Sequence, residues 1–288
     1  MKRMIILAVF VGLLCFTTNS LTSTEYDHAY TRIKSILMVC VANGDVNYQM
    51  LKQDPSELTA FLDEVAQITR ADYDYWSKEK RLAFLLNVYN MATLKFVVKY
   101  YPISSIKHIG IAATTGLLGP TTDNSSEPAP IVPDPLVPDP LLDIMILNAP
   151  TEEPYVLDKD SLDLFGKRIT LDHLENEIIR KEFREPRIHF ALCKGTKGSP
   201  PLRSEPYTSD QIDQQLRDQT RRFLMQSPDH NYYDETANIV YLSPIFHWYA
   251  MDFKIAAISV LNYVRLYKPE VRNDASIRYS HYDWSLNR

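Results

Sequence analysis

The chain has 288 residues, of which 45% are hydrophobic and 23% charged, an ordinary composition for a globular protein. Its formal net charge of −5 argues against a general nucleic-acid binder, because such proteins normally present a basic face. The length allows one large domain or two small ones, with a substantial buried core.

Residues 1–20 are predicted to be a secretory signal peptide. Met1–Arg3 gives a positive start, Met4–Phe16 is an apolar run, and small polar residues place the cleavage near Ser20. Thirteen apolar residues are too few to span a bilayer. We therefore expect residues 21–288 to be secreted or periplasmic, with no stable membrane span once the signal is cleaved.

Two cysteines remain after the leader, Cys40 and Cys193. In an oxidising compartment they could form one disulfide, or they could be two separate buried thiols, and the sequence leaves both alternatives open. The histidines are scattered without a paired ligand spacing, so we predict no metal site and no cofactor.

Helical patterns fill the chain before the first proline-rich stretch. Apolar spacings of three and four predict one helix within residues 23–46 and another that begins at Ser56. The longest helix is predicted over Lys78–Tyr100, between the capping residue Ser77 and the stop at Pro102. It is apolar on nearly every side, which is typical of a helix enclosed by other elements.

Two asparagines, Asn87 and Asn90, lie one turn apart on that central helix. Buried side-chain amides must find hydrogen-bond partners. One interpretation is that they hold a neighbouring loop or strand in place. The other is that they orient a catalytic or ligand-binding group.

Residues 111–155 are predicted to be a proline-rich surface insertion rather than a domain linker. Prolines recur at short intervals, and Val132–Leu136 is repeated at once as Val137–Leu141. Asn124 begins a glycosylation sequon, which has meaning only in a eukaryotic source.

A helix is predicted over Leu171–Phe183, with Thr170 as its cap. Glu175 falls within the apolar stripe of this helix, and a carboxylate on a packed face is costly unless it is paired or protonated. We take Arg187 and Arg203, in the segment that follows this helix, as the candidate basic partners. Glu175 is therefore either half of a structural carboxylate–arginine pair or a tuned general base.

The next segment, residues 187–207, is the predicted site. Alternating side chains predict a strand over Arg187–Cys193, which would place His189 and Cys193 roughly 13 Å apart on one face. That separation is too long for direct activation of a nucleophile by its base. If Cys193 is catalytic, its base must come from elsewhere, and His247, backed by Asp252, is our candidate.

The turn after this strand suggests anion or polar-ligand binding instead. Its glycines can expose backbone N–H groups, and lysine and arginine side chains add positive charge. The predicted ligand-binding residues are Lys194, Lys197, Ser199, Arg203, His189, Asn87 and Asn90.

Three further elements are expected towards the end of the chain. Ser209 and Asp210 cap a polar helix with Ile212, Leu216 and Phe223 facing inward. The pattern predicts a strand over residues 239–243 and another core helix over residues 255–267.

Four ordered stretches resemble the family catalogued as domain of unknown function 547. They are Ala83–Asn90, Ile169–Arg180, Pro186–Leu192 with Ser199–Arg203, and Leu242–Phe253. The resemblance runs from about Tyr48 to Tyr263 and implies membership of a family whose activity is open.

The chain departs from that family's pattern at the predicted site. The family usually places a cysteine just before the first glycine of the turn, where this chain has Lys194, and often a second where it has Ser199. On the preceding helix the family usually has a glutamate followed by a histidine, whereas this chain has Glu175 followed by Asn176. A thiol mechanism implied by the resemblance would therefore be degenerate in this member.

The sequence as a whole predicts a mostly helical α+β single domain with a small sheet, a buried central helix and a proline-rich surface insertion. We expect it to bind a small polar or anionic ligand, or a protein partner, at residues 187–207. The alternative is a hydrolase or transferase of thiol-protease or transglutaminase type, with Cys193, His247 and Glu175 as its catalytic residues.

Overall fold

The computed structural model describes residues 26–109, 156–226 and 231–288. The predicted signal peptide and the proline-rich insertion lie outside the described residues. Within them the chain is mostly helical with small sheets of two or three strands, which confirms the predicted α+β class.

The first described part is helical apart from one short hairpin. Its elements are α1 (Thr31–Cys40), β1 (Val41–Ala42), β2 (Asp45–Val46), α2 (Tyr48–Gln53), α3 (Ser56–Gln67), α4 (Arg70–Tyr75) and α5 (Lys78–Tyr100). The predicted apolar faces of the first and third helices are buried, because the spacing of three and four places them on one side.

The remaining elements alternate short helices with short strands. They are a 3₁₀ turn (Val156–Lys159), β3 (Leu162–Leu164), β4 (Lys167–Ile169), a π-helix (His173–Ile179), α6 (Arg180–Phe183), a second 3₁₀ helix (Pro186–Phe190), α7 (Ile212–Gln226), β5 (Tyr232–Asp234), β6 (Ile239–Leu242), α8 (Ile245–Trp248), α9 (Ala250–Ala257), α10 (Val260–Arg265) and β7 (Ser276–Tyr279). Strand β6 pairs antiparallel with β5 and parallel with β7.

Helix α5 is the centre of the larger core. Its N-cap, Ser77, accepts a hydrogen bond from the Lys80 N–H at 3.2 Å, as predicted. Among the described helices it alone is long and apolar enough to span a membrane, but 89% of that apolar window is buried inside the protein. It is therefore the enclosed core helix that the sequence predicts.

A second hydrophobic cluster forms around the three-stranded sheet and helices α7 to α10. Phe190 belongs to it, whereas its neighbour Ile188 belongs to the α5 core. The segment that follows Pro186 therefore passes between the two clusters, and this position brings its side chains against both.

The predicted strand over Arg187–Cys193 is wrong, because the first half of this segment is a 3₁₀ helix. Pro186 fits the first turn of such a helix, and the Glu185 carboxylate accepts the Arg187 N–H at 3.0 Å. His189 and Phe190 are both buried, so the faces do not alternate as they would in a strand.

The core helix predicted over residues 255–267 is not one continuous helix, although its second half contains the helix α10, which buries Val260, Tyr263 and Val264. The backbone of Ile258 has φ of 71°, which ends α9 at Ala257, and Ser259 caps a new helix by accepting the Asn262 N–H. Ile255 and Ile258 are 71% and 86% exposed and do not belong to the core.

Candidate functional site

The predicted helix over residues 171–183 contains a π-helical segment that presents Glu175. Residues 173–179 are π-helical, and the Thr170 hydroxyl accepts the His173 N–H at 3.2 Å, as expected for its cap. Wide π turns inside helices occur frequently at functional sites. The Glu175 side chain is buried, as its place in the apolar stripe requires.

The partner of Glu175 is Lys194. The lysine Nζ donates to Glu175 Oε2 at 2.6 Å, and the hydroxyl of Tyr89 donates to the same oxygen at 3.2 Å. The expected pairing with an arginine is wrong: Arg187 binds Glu185 and Asp213, and Arg203 binds Glu205. The carboxylate is thus compensated by the residue that follows Cys193.

A second ionic unit lies against the first. His189 Nε2 is 2.7 Å from Asp252 Oδ2, and Asp252 also accepts from Arg180 Nε at 2.9 Å and Nη2 at 3.1 Å. The other imidazole nitrogen, Nδ1, lies 3.8 Å from Glu175 Oε1. Both of these facing atoms are buried without a hydrogen-bond partner in the protein.

Tyr249 covers the two units. Its ring stacks on the His189 imidazole with centroids 3.8 Å apart and 15° between the planes. The Lys194 ammonium lies 5.7 Å and the Arg180 guanidinium 5.0 Å from the same ring. Cations over an aromatic face are attracted by its quadrupole, so Tyr249 adds a favourable contact to both side chains.

The charges of the two units balance when His189 is neutral. Burial lowers the pKa of His189, and this effect outweighs its hydrogen bond with Asp252. Burial would raise the pKa of Glu175, but the Lys194 ammonium keeps it below its ordinary value. Burial likewise opposes ionisation of Asp252, yet the hydrogen bonds from His189 and Arg180 keep its pKa well below normal.

We expect acid to destabilise the protein in two stages. The unfolded chain protonates His189 below about pH 6.5 while the folded chain keeps it neutral, so stability should fall as the pH drops from there. Glu175 and Asp252, whose pKa values are lowered, add stability above about pH 4 that is lost on further acidification. Urea unfolding measured at intervals from pH 7 to 3 would check both stages.

The first stage can be assigned to His189 by substitution. His189→Gln should reduce the slope of stability against pH between 6.5 and 5 by up to about 1.4 kcal/mol per pH unit. Replacing His247, which is exposed, controls for the loss of a histidine. An unchanged slope in His189→Gln would contradict the assignment.

Asn87 and Asn90 each hold one end of the predicted site segment. Asn87 Nδ2 donates to the Tyr207 carbonyl at 2.7 Å and its Oδ1 accepts the Tyr207 N–H at 2.9 Å. Asn90 Nδ2 donates to the Ala191 carbonyl at 3.0 Å and its Oδ1 accepts the Cys193 N–H at 2.9 Å. Of the two interpretations, these contacts favour the one in which the amides hold a loop in place.

Cys193 is buried, and its thiol contacts none of the side chains of the two ionic units by a hydrogen bond. The amide of Asn287 contacts its Sγ at 3.6 Å, and Tyr48 donates to the same asparagine at 2.6 Å. Burial raises the pKa of the Cys193 thiol, outweighing hydrogen bonds from the Gly195 N–H and from Ser199. Cys40 and Cys193 are both free, so no disulfide joins them.

His247 does not have the partner that was expected for it. Asp252 binds His189 and Arg180, while the exposed His247 ring packs 5.0 Å from that of Tyr279. The proposed backing of His247 by Asp252 is therefore wrong, because the carboxylate is already engaged by other side chains.

The glycine turn is held by a strap formed by residues 283–287. The backbone N–H groups of Lys197 and Gly198 donate to Ser285 and Asp283, at 2.9 and 2.8 Å. Within the turn itself, Lys194 N–H donates to Ser199 Oγ at 2.8 Å. Backbone groups that were expected to face an anion are therefore engaged within the protein.

The end of the segment has donors that remain free. Arg203 Nη2 binds Glu205, but Arg203 Nε is buried without a partner, and so are the hydroxyls of Tyr207 and Thr208. The arginine guanidinium lies 5.9 Å from the Tyr207 ring centroid. Three donors within six residues are therefore left for water or a ligand, because buried polar groups are normally satisfied.

Sequence reasoning missed Tyr249, Arg180 and the role of Asp252. Their signal was present as an aromatic turn and a polar helix face, but their meeting depends on how α9 packs against the second 3₁₀ helix. Among the described residues, no group of three or more histidine, cysteine, aspartate or glutamate side chains is arranged to hold a metal ion.

Comparison with known proteins identifies a family. The family described as "Protein of unknown function, DUF547" matches residues 73–224, which is more than half of the chain. Neither a curated protein nor a solved structure is significantly similar to the chain. The matched range includes Glu175, Lys194 and the whole of residues 187–207, and the chain therefore belongs to the DUF547 family.

Proposed function

We propose that this chain is an exported binding domain for a small anionic ligand, a carboxylate or a phosphate. The ligand is held at the Arg203–Thr208 end of the segment. The observation that carries the proposal is the set of three buried donors without protein partners: Arg203 Nε and the hydroxyls of Tyr207 and Thr208. Three donors, one of which belongs to a cation, match the acceptor oxygens of an anion.

The surroundings of these donors support a fixed site. Tyr207 is bound through its backbone to Asn87, and the Thr208 N–H donates to Gln215 Oε1 at 3.0 Å. Gln219 donates to the Pro201 carbonyl and leaves its own buried Oε1 without a partner. We choose citrate as a test anion, since its carboxylates accept hydrogen bonds and its hydroxyl group can donate one.

The same geometry changes the roles of the other predicted ligand residues. Lys194 and His189 belong to the ionic units, and Ser199 belongs to the turn. Lys197 is exposed and serves as a matched cation outside the proposed site. Glu205 competes with the ligand for Arg203, since its carboxylate occupies Nη2.

Citrate or phosphate should raise the melting temperature of the wild-type protein. A ligand at ten times its Kd adds about 1.4 kcal/mol of stability, or roughly 3–5 °C for a domain of this size. Arg203→Gln should abolish the shift, Lys197→Gln should retain it, and Glu205→Gln should strengthen binding by removing the competing carboxylate. Differential scanning fluorimetry against sodium chloride of equal ionic strength would measure these shifts.

Two outcomes would contradict the binding proposal. Equal shifts in wild type and Arg203→Gln would mean that the anions act as general stabilising salts. Rapid alkylation of Cys193 by iodoacetamide near neutral pH would favour the thiol-enzyme alternative instead. We expect slow alkylation, because burial raises the pKa of this thiol, and we expect Cys193→Ala to leave citrate binding unchanged.

A further inference from the structure

A pocket of about 460 Å³ opens between α1, the β1–β2 hairpin and α2, with Tyr101 and Arg288 at its edges. Its volume lies in the range of about 300–1,000 Å³ that is typical of small-molecule sites. None of its lining residues belongs to the ionic units or to the Arg203–Thr208 site. It is therefore a separate candidate.

The inner wall of the pocket is apolar and firmly packed. Cys40, Val46 and Tyr48 line it and are themselves buried, and the Tyr48 ring stacks on that of Tyr101 with centroids 6.1 Å apart. Val39 also lines the pocket but is 65% exposed. An apolar ligand group placed here would remove exposed apolar surface from water, which favours binding.

Two side chains of opposite charge line the pocket. Asp45 and Arg288 are both exposed, and within the described part of the chain neither side chain has a hydrogen bond or ion pair. Their backbones are held: Asp45 pairs with Ala42 in the hairpin, and the Arg288 N–H donates to the Leu286 carbonyl at 2.9 Å. The pocket thus offers one anchor for a cation and one for an anion beside an apolar wall.

We propose that this pocket binds a short apolar peptide as a zwitterion. The Asp45 carboxylate takes the ligand's ammonium group, the Arg288 guanidinium takes its carboxylate, and the wall of Val39, Cys40 and Val46 takes an apolar side chain. A guanidinium can hold a carboxylate through two parallel hydrogen bonds, which gives orientation as well as attraction.

Isothermal titration calorimetry with the dipeptide Leu-Phe tests the assignment of the two charges. Amidation of the dipeptide's carboxylate should weaken binding to the wild type by up to about fivefold, since exposed ion pairs contribute little. The same amidation should have no effect on binding to Arg288→Gln. N-acetylation should likewise weaken binding to the wild type but not to Asp45→Asn.

A blocking variant and a chemical footprint locate the ligand. Ala42 lines the pocket and is exposed, so Ala42→Trp should fill the space and abolish Leu-Phe binding without lowering the melting temperature, while Ala42→Ser should retain it. Bound Leu-Phe should also slow maleimide modification of Cys40. The proposal is overturned if Leu-Phe shows no saturable binding, or if capping weakens binding equally in the wild type and the charge variants.

Discussion

Replacing Lys194 with methionine should lower the free energy of unfolding by about 3–5 kcal/mol, the cost of leaving a buried charge without its partner. The Lys194 and Glu175 side chains are only 10% and 3% exposed, so water cannot take the place of the lost ammonium. Methionine keeps the length and apolar stem of lysine, which confines the change to the charge. Urea unfolding at pH 7, fitted to two states, would measure the loss.

A second substitution should reverse most of this loss. The double variant Lys194→Met/Glu175→Gln has lost both buried charges, the ammonium and the carboxylate. The glutamine can still accept a hydrogen bond from the hydroxyl of Tyr89. The control is Lys181→Met, which breaks an exposed pair with Glu177 and should cost less than about 0.5 kcal/mol. If Lys194→Met were as mild as the control, the pair would not be the electrostatic centre of the site.

Much of the helical architecture could be predicted because it depends on local patterns. The apolar spacing of α1 and α3, the Ser77 cap and the continuous apolar surface of α5 each report a property of one segment. The two asparagines of α5 were predictable in the same way, since a buried amide has to be satisfied. The groups that they bind could not be predicted. These are the backbone groups of Ala191, Cys193 and Tyr207.

The strand prediction for residues 187–193 was wrong for a physical reason. His189 is polar but fully enclosed, because Asp252 and Tyr249 meet it from another part of the chain. A buried histidine between apolar neighbours imitates the alternation of a half-buried strand. A periodicity argument assumes that polar residues are exposed, and this assumption fails where buried polar groups are paired with one another.

The partner of Glu175 could not be chosen by sequence distance. Arg187 is nearer along the chain than Lys194, but the guanidinium of Arg187 is already shared by Glu185 and Asp213. The turn that follows Phe190 brings Lys194 next to the π-helix, and no local sequence pattern predicts this contact. A π-helical segment has no sequence periodicity of its own strong enough to be recognised beforehand.

The departure from the family pattern has a structural counterpart. Lys194 stands where the resemblance leads us to expect a cysteine, and its ammonium contacts Glu175 and the ring of Tyr249. Cys193, one residue earlier, contacts Asn287 instead. The position at which the resemblance leads us to expect a thiol is thus occupied by the lysine of an ion pair, which is why we propose binding rather than thiol chemistry.

Asn90→Ala should be as costly as the loss of Lys194, at about 2–6 kcal/mol. The substitution removes two hydrogen bonds and leaves the Cys193 N–H and the Ala191 carbonyl buried without partners, at about 1–3 kcal/mol each. Asn87→Ala should cost a similar amount through Tyr207. Urea unfolding of the two variants would give both values.

The two variants should differ in what they do to the thiol. Asn90 holds the backbone of Cys193 itself, so Asn90→Ala should loosen that part of the segment and speed alkylation of Cys193 by iodoacetamide. Asn87 holds the far end, so Asn87→Ala should leave the alkylation rate near that of the wild type. Equal rates in the two variants would show that the segment opens as one unit, and that the α5 amides do not fix its two ends independently.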